Sequence, residues 1–106
     1  QIFAFIMDTR ECPSNNILAK NADLLVCEST YLSSEQQEAY NHGHMTAAQA
    51  ATVAKDAGVK RLVLTHFSQR YDALELFVEE AKAIFPNVIA VQDGDEVYVP
   101  QIQRKI

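Results

Sequence analysis

The sequence predicts an α/β domain built on a mostly parallel sheet with flanking helices. Short apolar segments alternate with helical ones in the order β-α-β-α-α-β-α-β-β, which implies crossover connections between parallel strands. The clearest strand, residues 61–65, is apolar enough to be covered on both faces. An Asp-Gly pair at residues 93–94 separates the last two predicted strands and indicates a terminal hairpin.

The first three predicted elements are a buried strand, a short helix and a second buried strand. They span residues 2–7, 13–21 and 22–27. Each strand stops at a carboxylate, Asp8 after the first and Glu28 after the second. Pro13 suits the first turn of the helix between them.

Two capping signatures mark the next two helices. Ser33 or Ser34 can begin a polar surface helix that runs to about residue 40, since a glutamine follows each serine by three residues. Thr46 and Gln49 form the same signature ahead of the best helix in the sequence, and Gly58 ends that helix. Alanines recur along one side of it, which gives a small-residue face that can approach a sheet closely.

The last predicted elements are a helix and two short strands. The helix ends at Pro86 and has an apolar face. The residues of that face are Leu74, Phe77, Val78 and Ala81. The strands cover residues 88–91 and 97–99 and form the predicted hairpin at one edge of the sheet.

Composition restricts the function classes. Hydrophobic residues make up 48% of the chain, which indicates a globular domain. The net charge of −5 argues against a general polyanion binder, because nonspecific nucleic-acid affinity comes from lysine and arginine. Cys12 and Cys27 have neither disulfide nor metal-binding spacing, so we expect reduced packing residues in an intracellular protein. Cytoplasm, chloroplast and mitochondrion are not distinguished by this argument.

Candidate site residues converge on one edge of the predicted sheet. Asp8, Glu28 and His66 each follow a strand, and the carboxyl ends of parallel strands meet at one edge. His44 lies just ahead of the helix that begins after Thr46, where a neighbouring carboxylate is favoured. Glu28 is the candidate partner, because a carboxylate that holds an imidazole fixes its tautomer and raises its basicity. Asp8 and His66 are ligands that zinc accepts, although two ligands do not make a site.

Each of these residues also has a structural interpretation. Asp8 can be a turn former after a buried strand, and His66 can be a hydrogen-bonded loop histidine. Glu28 can be a solvated strand end. Arg70, in the loop after His66, can pair with an acidic neighbour instead of binding a phosphate.

Four short motifs carry a family resemblance. In chain order they are Met7-Asp8-Thr9, Cys27-Glu28-Ser29-Thr30, His44-Met45-Thr46-Ala47 and the segment from Leu64 to Tyr71. In order and spacing they resemble the C-terminal half of ribonuclease Z, the tRNA 3′-processing endonuclease family of the metallo-β-lactamase superfamily. The resemblance implies that residues 1–106 are one half of an αββα sandwich.

The resemblance implies a role for each candidate residue. Asp8 matches the aspartate that bridges two zinc ions, and His66 matches the last histidine ligand of one zinc. Glu28 matches the glutamate that hydrogen-bonds the histidine equivalent to His44, and this pair protonates the leaving ribose oxygen. Arg70 lies in a loop where the family places groups near substrate phosphates. The implied cofactors are two zinc ions, with another divalent metal as the alternative.

The implied substrate is precursor tRNA, which two metal ions and an activated water cleave to leave a free 3′-hydroxyl. The implied partners are the missing N-terminal half, which carries a His-x-His-x-Asp-His motif, and a second copy in a homodimer. Without that half the chain is expected to be inactive. Its start agrees with a fragment, because residues 1–7 enter strand-like sequence without a polar lead-in.

The chain departs from the family pattern at two positions, and two other functions stay open. Met7 stands where glycine is frequent and Cys27 where many members have histidine, but neither position is a metal ligand. One alternative is another metallo-β-lactamase-fold phosphodiesterase that acts on a small or cyclic substrate. The other is a noncatalytic folding or dimerisation half-domain that hides its exposed sheet by self-association.

Overall fold

The computed structural model describes residues 2–7, 9, 12–68 and 73–91. The strands are β1 (Phe3–Ile6), β2 (Leu24–Glu28), β3 (Arg61–Thr65) and β4 (Val88–Ala90). The helices are α1 (Pro13–Ala19), α2 (Gln36–Asn41), α3 (Ala47–Ala57) and α4 (Glu75–Lys82). Within these residues no helix has the length and apolarity required to cross a membrane. The predicted strand at 97–99, and with it the terminal hairpin, lies outside the described residues.

The four strands form one parallel sheet in the order β1-β2-β3-β4, as the alternation of elements predicted. Strands that are consecutive in sequence are also neighbours in the sheet, so every connection is a crossover. The register pairs Ile6 with Cys27 and Glu28 with Thr65. β2 and β3 therefore end level, and the residues that follow them emerge at one edge.

The two faces of the sheet differ in what covers them. One face packs against α1, α3 and α4 and forms the core. Its strand residues include Ala4, Ile6, Leu25, Cys27, Leu62 and Leu64. Val63 points to the other face and is also buried, as predicted for a strand covered on both sides. On that other face, however, Phe3 and Phe5 of β1 are 49% and 59% exposed.

α3 has the cap, the end and the buried face that its sequence predicted. The Thr46 hydroxyl accepts from Gln49 N at 3.1 Å, and Gln49 Oε1 accepts from Thr46 N at 3.0 Å. Gly58 ends the helix at a φ of 71°, a left-handed conformation that glycine adopts without strain. The alanine face is fully buried and consists of Ala47, Ala50, Ala51 and Ala54.

The predicted capping box at Ser33 or Ser34 is wrong. α2 follows a 3₁₀ turn, and its N-cap residue, Glu35, makes no side-chain cap bond. The Ser33 hydroxyl donates instead to Glu80 Oε1 on α4 at 2.9 Å. Glu80 also accepts from the backbone N–H groups of Ser33 and Ala48. A tertiary contact between residues 47 positions apart therefore overrides the local signature.

α4 ends earlier than predicted. After its last residue, Lys82, the N–H groups of Ile84 and Phe85 donate to Ala81 O at 2.9 and 2.8 Å. Pro86 therefore follows a turn and does not itself end the helix. Three of the four residues predicted on the apolar face of α4 pack in or against the core, as expected.

Both cysteines are free thiols, as predicted, and they differ in reactivity. Burial raises the pKa of the Cys27 thiol far above its ordinary value. Cys12 is half-buried, and the hydroxyl of Ser14 lowers the pKa of its thiol. We therefore expect iodoacetamide at mildly alkaline pH to alkylate Cys12 in the native protein and to spare Cys27 until denaturant is added. Peptide mass spectrometry checks this, and earlier labelling of Cys27 would contradict its burial.

Candidate active site

The edge at the carboxyl ends of β2 and β3 gathers three predicted site residues. Glu28 is the last residue of β2, and His66 directly follows β3. His44 comes from the turn before α3, which two backbone hydrogen bonds tie to the segment after β2. The structure thus brings Glu28, His44 and His66 together, as predicted. Asp8 and Arg70 lie outside the described residues.

Glu28 is a fully buried carboxylate whose acceptor positions are used. Its Oε2 accepts from the Thr30 hydroxyl at 3.0 Å, from His44 Nδ1 at 2.9 Å and from Met45 N at 3.0 Å. Its Oε1 accepts from Thr9 N at 3.2 Å. A carboxylate offers about four lone-pair positions, and four donors converge here. Buried charge of this kind is tolerated only with such partners.

His44 is held by this carboxylate in one orientation. Because the carboxylate only accepts, His44 Nδ1 must donate to it, and Nε2 is left as the nitrogen that can take up or release a proton. The side chain is 22% exposed, so it can reach a bound substrate. Its ring centroid lies 5.4 Å from that of His66 and 6.3 Å from that of Tyr31.

His66 is connected to the same carboxylate through Thr30. The Thr30 hydroxyl lies 2.8 Å from His66 Nδ1 and 3.0 Å from Glu28 Oε2. His66 is an exposed residue, and its backbone φ is 62°, a left-handed conformation that costs a residue other than glycine some strain. Strain of this kind persists where the surrounding contacts hold it and where the position of the side chain matters.

Three side chains at this edge offer ligand atoms for a metal ion. One ligand atom each of Glu28, His44 and His66 lies within 4.8 Å of the others, and a carboxylate with two imidazoles is a set that zinc accepts. The lone pairs of Glu28 are already engaged, whereas His66 has a second ring nitrogen beyond its contact with Thr30. The chemistry of the set therefore suits a metal ion at His66, with Glu28 in a supporting position.

Ser29 is placed between two residues of this network without belonging to it. Its side-chain oxygen is buried and has no hydrogen-bond partner among the described residues. An unpaired buried hydroxyl costs about 1–3 kcal/mol of desolvation. We therefore expect Ser29→Ala to raise the free energy of unfolding by about 1 kcal/mol, measured by urea denaturation. A decrease of similar size in the free energy of unfolding of Ser29→Ala would contradict this, because it would show that the hydroxyl has a hydrogen-bond partner.

Thr30 was not among the site residues predicted from the sequence, where it appeared only within the motif Cys27-Glu28-Ser29-Thr30. A sharper signal was available, because residues two apart in an extended segment point the same way, so Thr30 shares the side of Glu28. The partner across the sheet edge, His66, could be assigned only once the level ends of β2 and β3 were known.

Several known proteins resemble this chain in sequence. The family model described as "Beta-lactamase superfamily domain" matches residues 1–67. Ribonuclease Z of Streptomyces avermitilis is 58% identical over 83 residues, which cover 78% of this chain and 28% of that protein. Ribonuclease Z of Ligilactobacillus salivarius is 45% identical over 107 residues, which cover 99% of this chain and 34% of that protein. The chain thus spans about a third or less of the length of these relatives.

Two solved structures are also similar. The metallo-beta-lactamase fold protein YhfI from Bacillus subtilis matches with a TM-score of 0.76 and 27% identity, over 83% of this chain and 35% of that one. The short form of human tRNase Z matches with a TM-score of 0.62 and 37% identity, over 81% of this chain and 28% of that one. The parallel sheet with helices on one face is therefore part of a metallo-β-lactamase fold.

Proposed function

The chain belongs to the beta-lactamase superfamily, and from this membership we propose that it is part of a metal-dependent tRNA 3′-processing endonuclease, a ribonuclease Z. The observation that carries the proposal is the buried Glu28 carboxylate, which holds His44 beside His66 at one sheet edge. An oriented imidazole next to a candidate metal ligand suits hydrolysis of a phosphodiester. The two relatives named ribonuclease Z support the choice of precursor tRNA as the substrate.

Residues 1–106 are proposed as the C-terminal half of the catalytic domain. Phe3 and Phe5 support this, because apolar side chains of that size on a sheet face call for a covering layer. The proposed occupant is the N-terminal half of the same fold, which is consistent with the short stretch of the relatives that this chain matches. That half also supplies the remaining metal ligands, so residues 1–106 alone are inactive in this proposal. The complete protein is proposed to be a homodimer.

Asp8 and His66 are the proposed metal ligands of this half, for two zinc ions or another divalent metal. The contacts of His66 support its part, since only Nδ1 meets Thr30 and a second ring nitrogen remains for a metal ion. When bound, the metal ions would supply an activated water for in-line attack and positive charge near the phosphate. Glu28 is not proposed as a ligand, because its lone pairs already accept hydrogen bonds.

The pair Glu28–His44 is proposed as the proton donor to the leaving group. The protonated imidazole releases the proton on Nε2 to the ribose 3′-oxygen as the P–O bond breaks, which leaves neutral His44 and a tRNA with a 3′-hydroxyl. Glu28 holds Nδ1 throughout and stabilises the charged ring before transfer. Arg70 is proposed to contact a substrate phosphate.

The experiment incubates the full-length protein with zinc and a precursor tRNA that has a 3′ trailer, and in parallel with cyclic nucleotides. The proposal predicts cleavage at the base of the trailer, a 3′-hydroxyl on the tRNA, and no turnover of cyclic nucleotides. Hydrolysis of the cyclic nucleotides alone would indicate a different phosphodiesterase of the same fold.

A second candidate function is a noncatalytic folding or dimerisation module. Within the described residues β1 lies at the edge of the sheet and carries the exposed Phe3 and Phe5, and both an unpaired strand edge and an exposed apolar patch favour self-association. Zinc titration of the full-length protein separates the two functions. A zinc site that disappears in the His66→Ala variant supports the nuclease, whereas zinc binding that is absent or independent of His66 supports the module.

A further inference from the structure

We propose that Thr30 is a positioning residue that fixes the tautomer of His66 and so presents Nε2 of that ring to the metal ion. The inference rests on the proposed function in one respect, namely that His66 is a metal ligand. Its basis is the short chain of hydrogen bonds that runs from Glu28 through the Thr30 hydroxyl to His66.

The direction of these hydrogen bonds follows from counting protons. Glu28 accepts hydrogen bonds from the backbone N–H groups of Thr9 and Met45, one on each carboxylate oxygen. An ionised carboxylate accepts in this way on both oxygens and has no hydrogen to donate. The Thr30 hydroxyl has one hydrogen, and its contact with Glu28 Oε2 at 3.0 Å can only be a donated bond. The contact with His66 Nδ1 at 2.8 Å must therefore be accepted by the hydroxyl oxygen, so the proton of the neutral ring is on Nδ1.

A proton on Nδ1 leaves the lone pair of His66 on Nε2. Which ring nitrogen binds a metal is set by the hydrogen bond that the other nitrogen makes. In most metal sites a carboxylate, a carbonyl or a water makes that bond directly. Here the Glu28 carboxylate does so through the Thr30 hydroxyl, while it also orients His44. One buried charge therefore orients both the candidate proton donor and the candidate metal ligand.

The backbone around His66 supports the same role for Thr30. Thr30 O accepts from Ser68 N at 2.9 Å, and Ser29 N donates to Thr65 O at 2.8 Å. These bonds join the segment after β2 to the loop after β3 on either side of His66. The φ of 62° at His66 is thus held by one backbone hydrogen bond to Thr30 and one from the adjacent Ser29.

The test uses the full-length protein, labelled with ¹⁵N and freed of metal. A long-range ¹H–¹⁵N spectrum reports which ring nitrogen carries the proton, and loss of the signal in His66→Gln assigns it to His66. We expect a proton on Nδ1 in the wild type and in Thr30→Ser. In Thr30→Val the preference is lost, and the zinc dissociation constant rises by about 10- to 100-fold.

Ser29→Ala is the matched control, because it removes a neighbouring buried hydroxyl that has no hydrogen-bond partner in the described part of the chain. It should leave both the tautomer and the zinc affinity unchanged. A proton on Nε2 in the wild type overturns the proposal, and so does wild-type zinc affinity in Thr30→Val. If Thr30→Val does not fold, the wild-type spectrum and Thr30→Ser still decide, since either one with the proton on Nε2 refutes the role.

Failure of this proposal can be distinguished from failure of the proposed nuclease function. One outcome is a protein that carries the His66 proton on Nδ1 and binds zinc in a way that depends on the Thr30 hydroxyl, yet leaves precursor tRNA intact. That result supports the positioning role of Thr30 and refutes the nuclease function. Cleavage of precursor tRNA by a protein with the proton on Nε2 supports the nuclease and refutes the role of Thr30.

Discussion

Replacing His44 with alanine is expected to lower kcat of the full-length protein on precursor tRNA by about 10²- to 10⁴-fold, the usual contribution of a positioned general acid. The physical reason is that His44 Nε2 is the atom free to release a proton once Nδ1 donates to Glu28. Zinc content should stay unchanged, because His44 is not among the proposed ligands. Steady-state cleavage kinetics and metal analysis of the same preparation measure both quantities.

His42 offers a matched control for His44. It lies two positions earlier, its side chain is 59% exposed, and its Nε2 pairs with Glu38 Oε1 at 3.2 Å on the surface. His42→Ala should cleave precursor tRNA at the wild-type rate. Equal losses of kcat in His44→Ala and His42→Ala would contradict the role of His44. Loss of bound zinc in His44→Ala would show that His44 is a metal ligand instead.

Replacing Glu28 with alanine is expected to lower the free energy of unfolding by about 3–5 kcal/mol. The carboxylate is fully buried and accepts from two side chains and two backbone N–H groups. Its removal leaves those donors unsatisfied at about 1–3 kcal/mol each, partly offset by rearrangement. Urea denaturation of the metal-free protein isolates this effect from metal binding.

Glu38→Ala is the control for that loss. The Glu38 side chain is 49% exposed, and surface pairs of this kind contribute about 0–1 kcal/mol. Its removal should therefore change stability only slightly. A Glu28→Ala variant that is no less stable than Glu38→Ala would contradict the network described here.

Sequence patterns predicted the helix ends that depend only on interactions between residues close in sequence. The Thr46 and Gln49 pair begins α3 and the glycine at position 58 ends it, so the sequence contains all that the two helix ends require. The capping signature at Ser33 failed for the opposite reason. Glu80, far away in sequence, takes the hydroxyl and the backbone N–H that the local box would use.

For the candidate site, the sequence predicted which strand ends come together but not the hydrogen bonds between their side chains. Parallel strands with level ends bring Glu28 and His66 to one edge, and the helix start of α3 brings His44. The hydrogen-bond directions were not predictable, because they depend on ångström-scale positions of the Thr30 hydroxyl and the His66 ring. Whether Asp8 joins them stays a prediction, since it lies outside the described residues.

The central claim is that this sheet edge holds a metal centre with the Glu28–His44 pair beside it, not within it. Anomalous scattering at the zinc edge from crystals of the full-length protein tests that claim most directly. We predict zinc within bonding distance of His66 Nε2 and the Asp8 carboxylate, with Glu28 still bound to His44. Zinc bound by Glu28 itself, or no metal at this edge in a protein that cleaves precursor tRNA, would contradict the account.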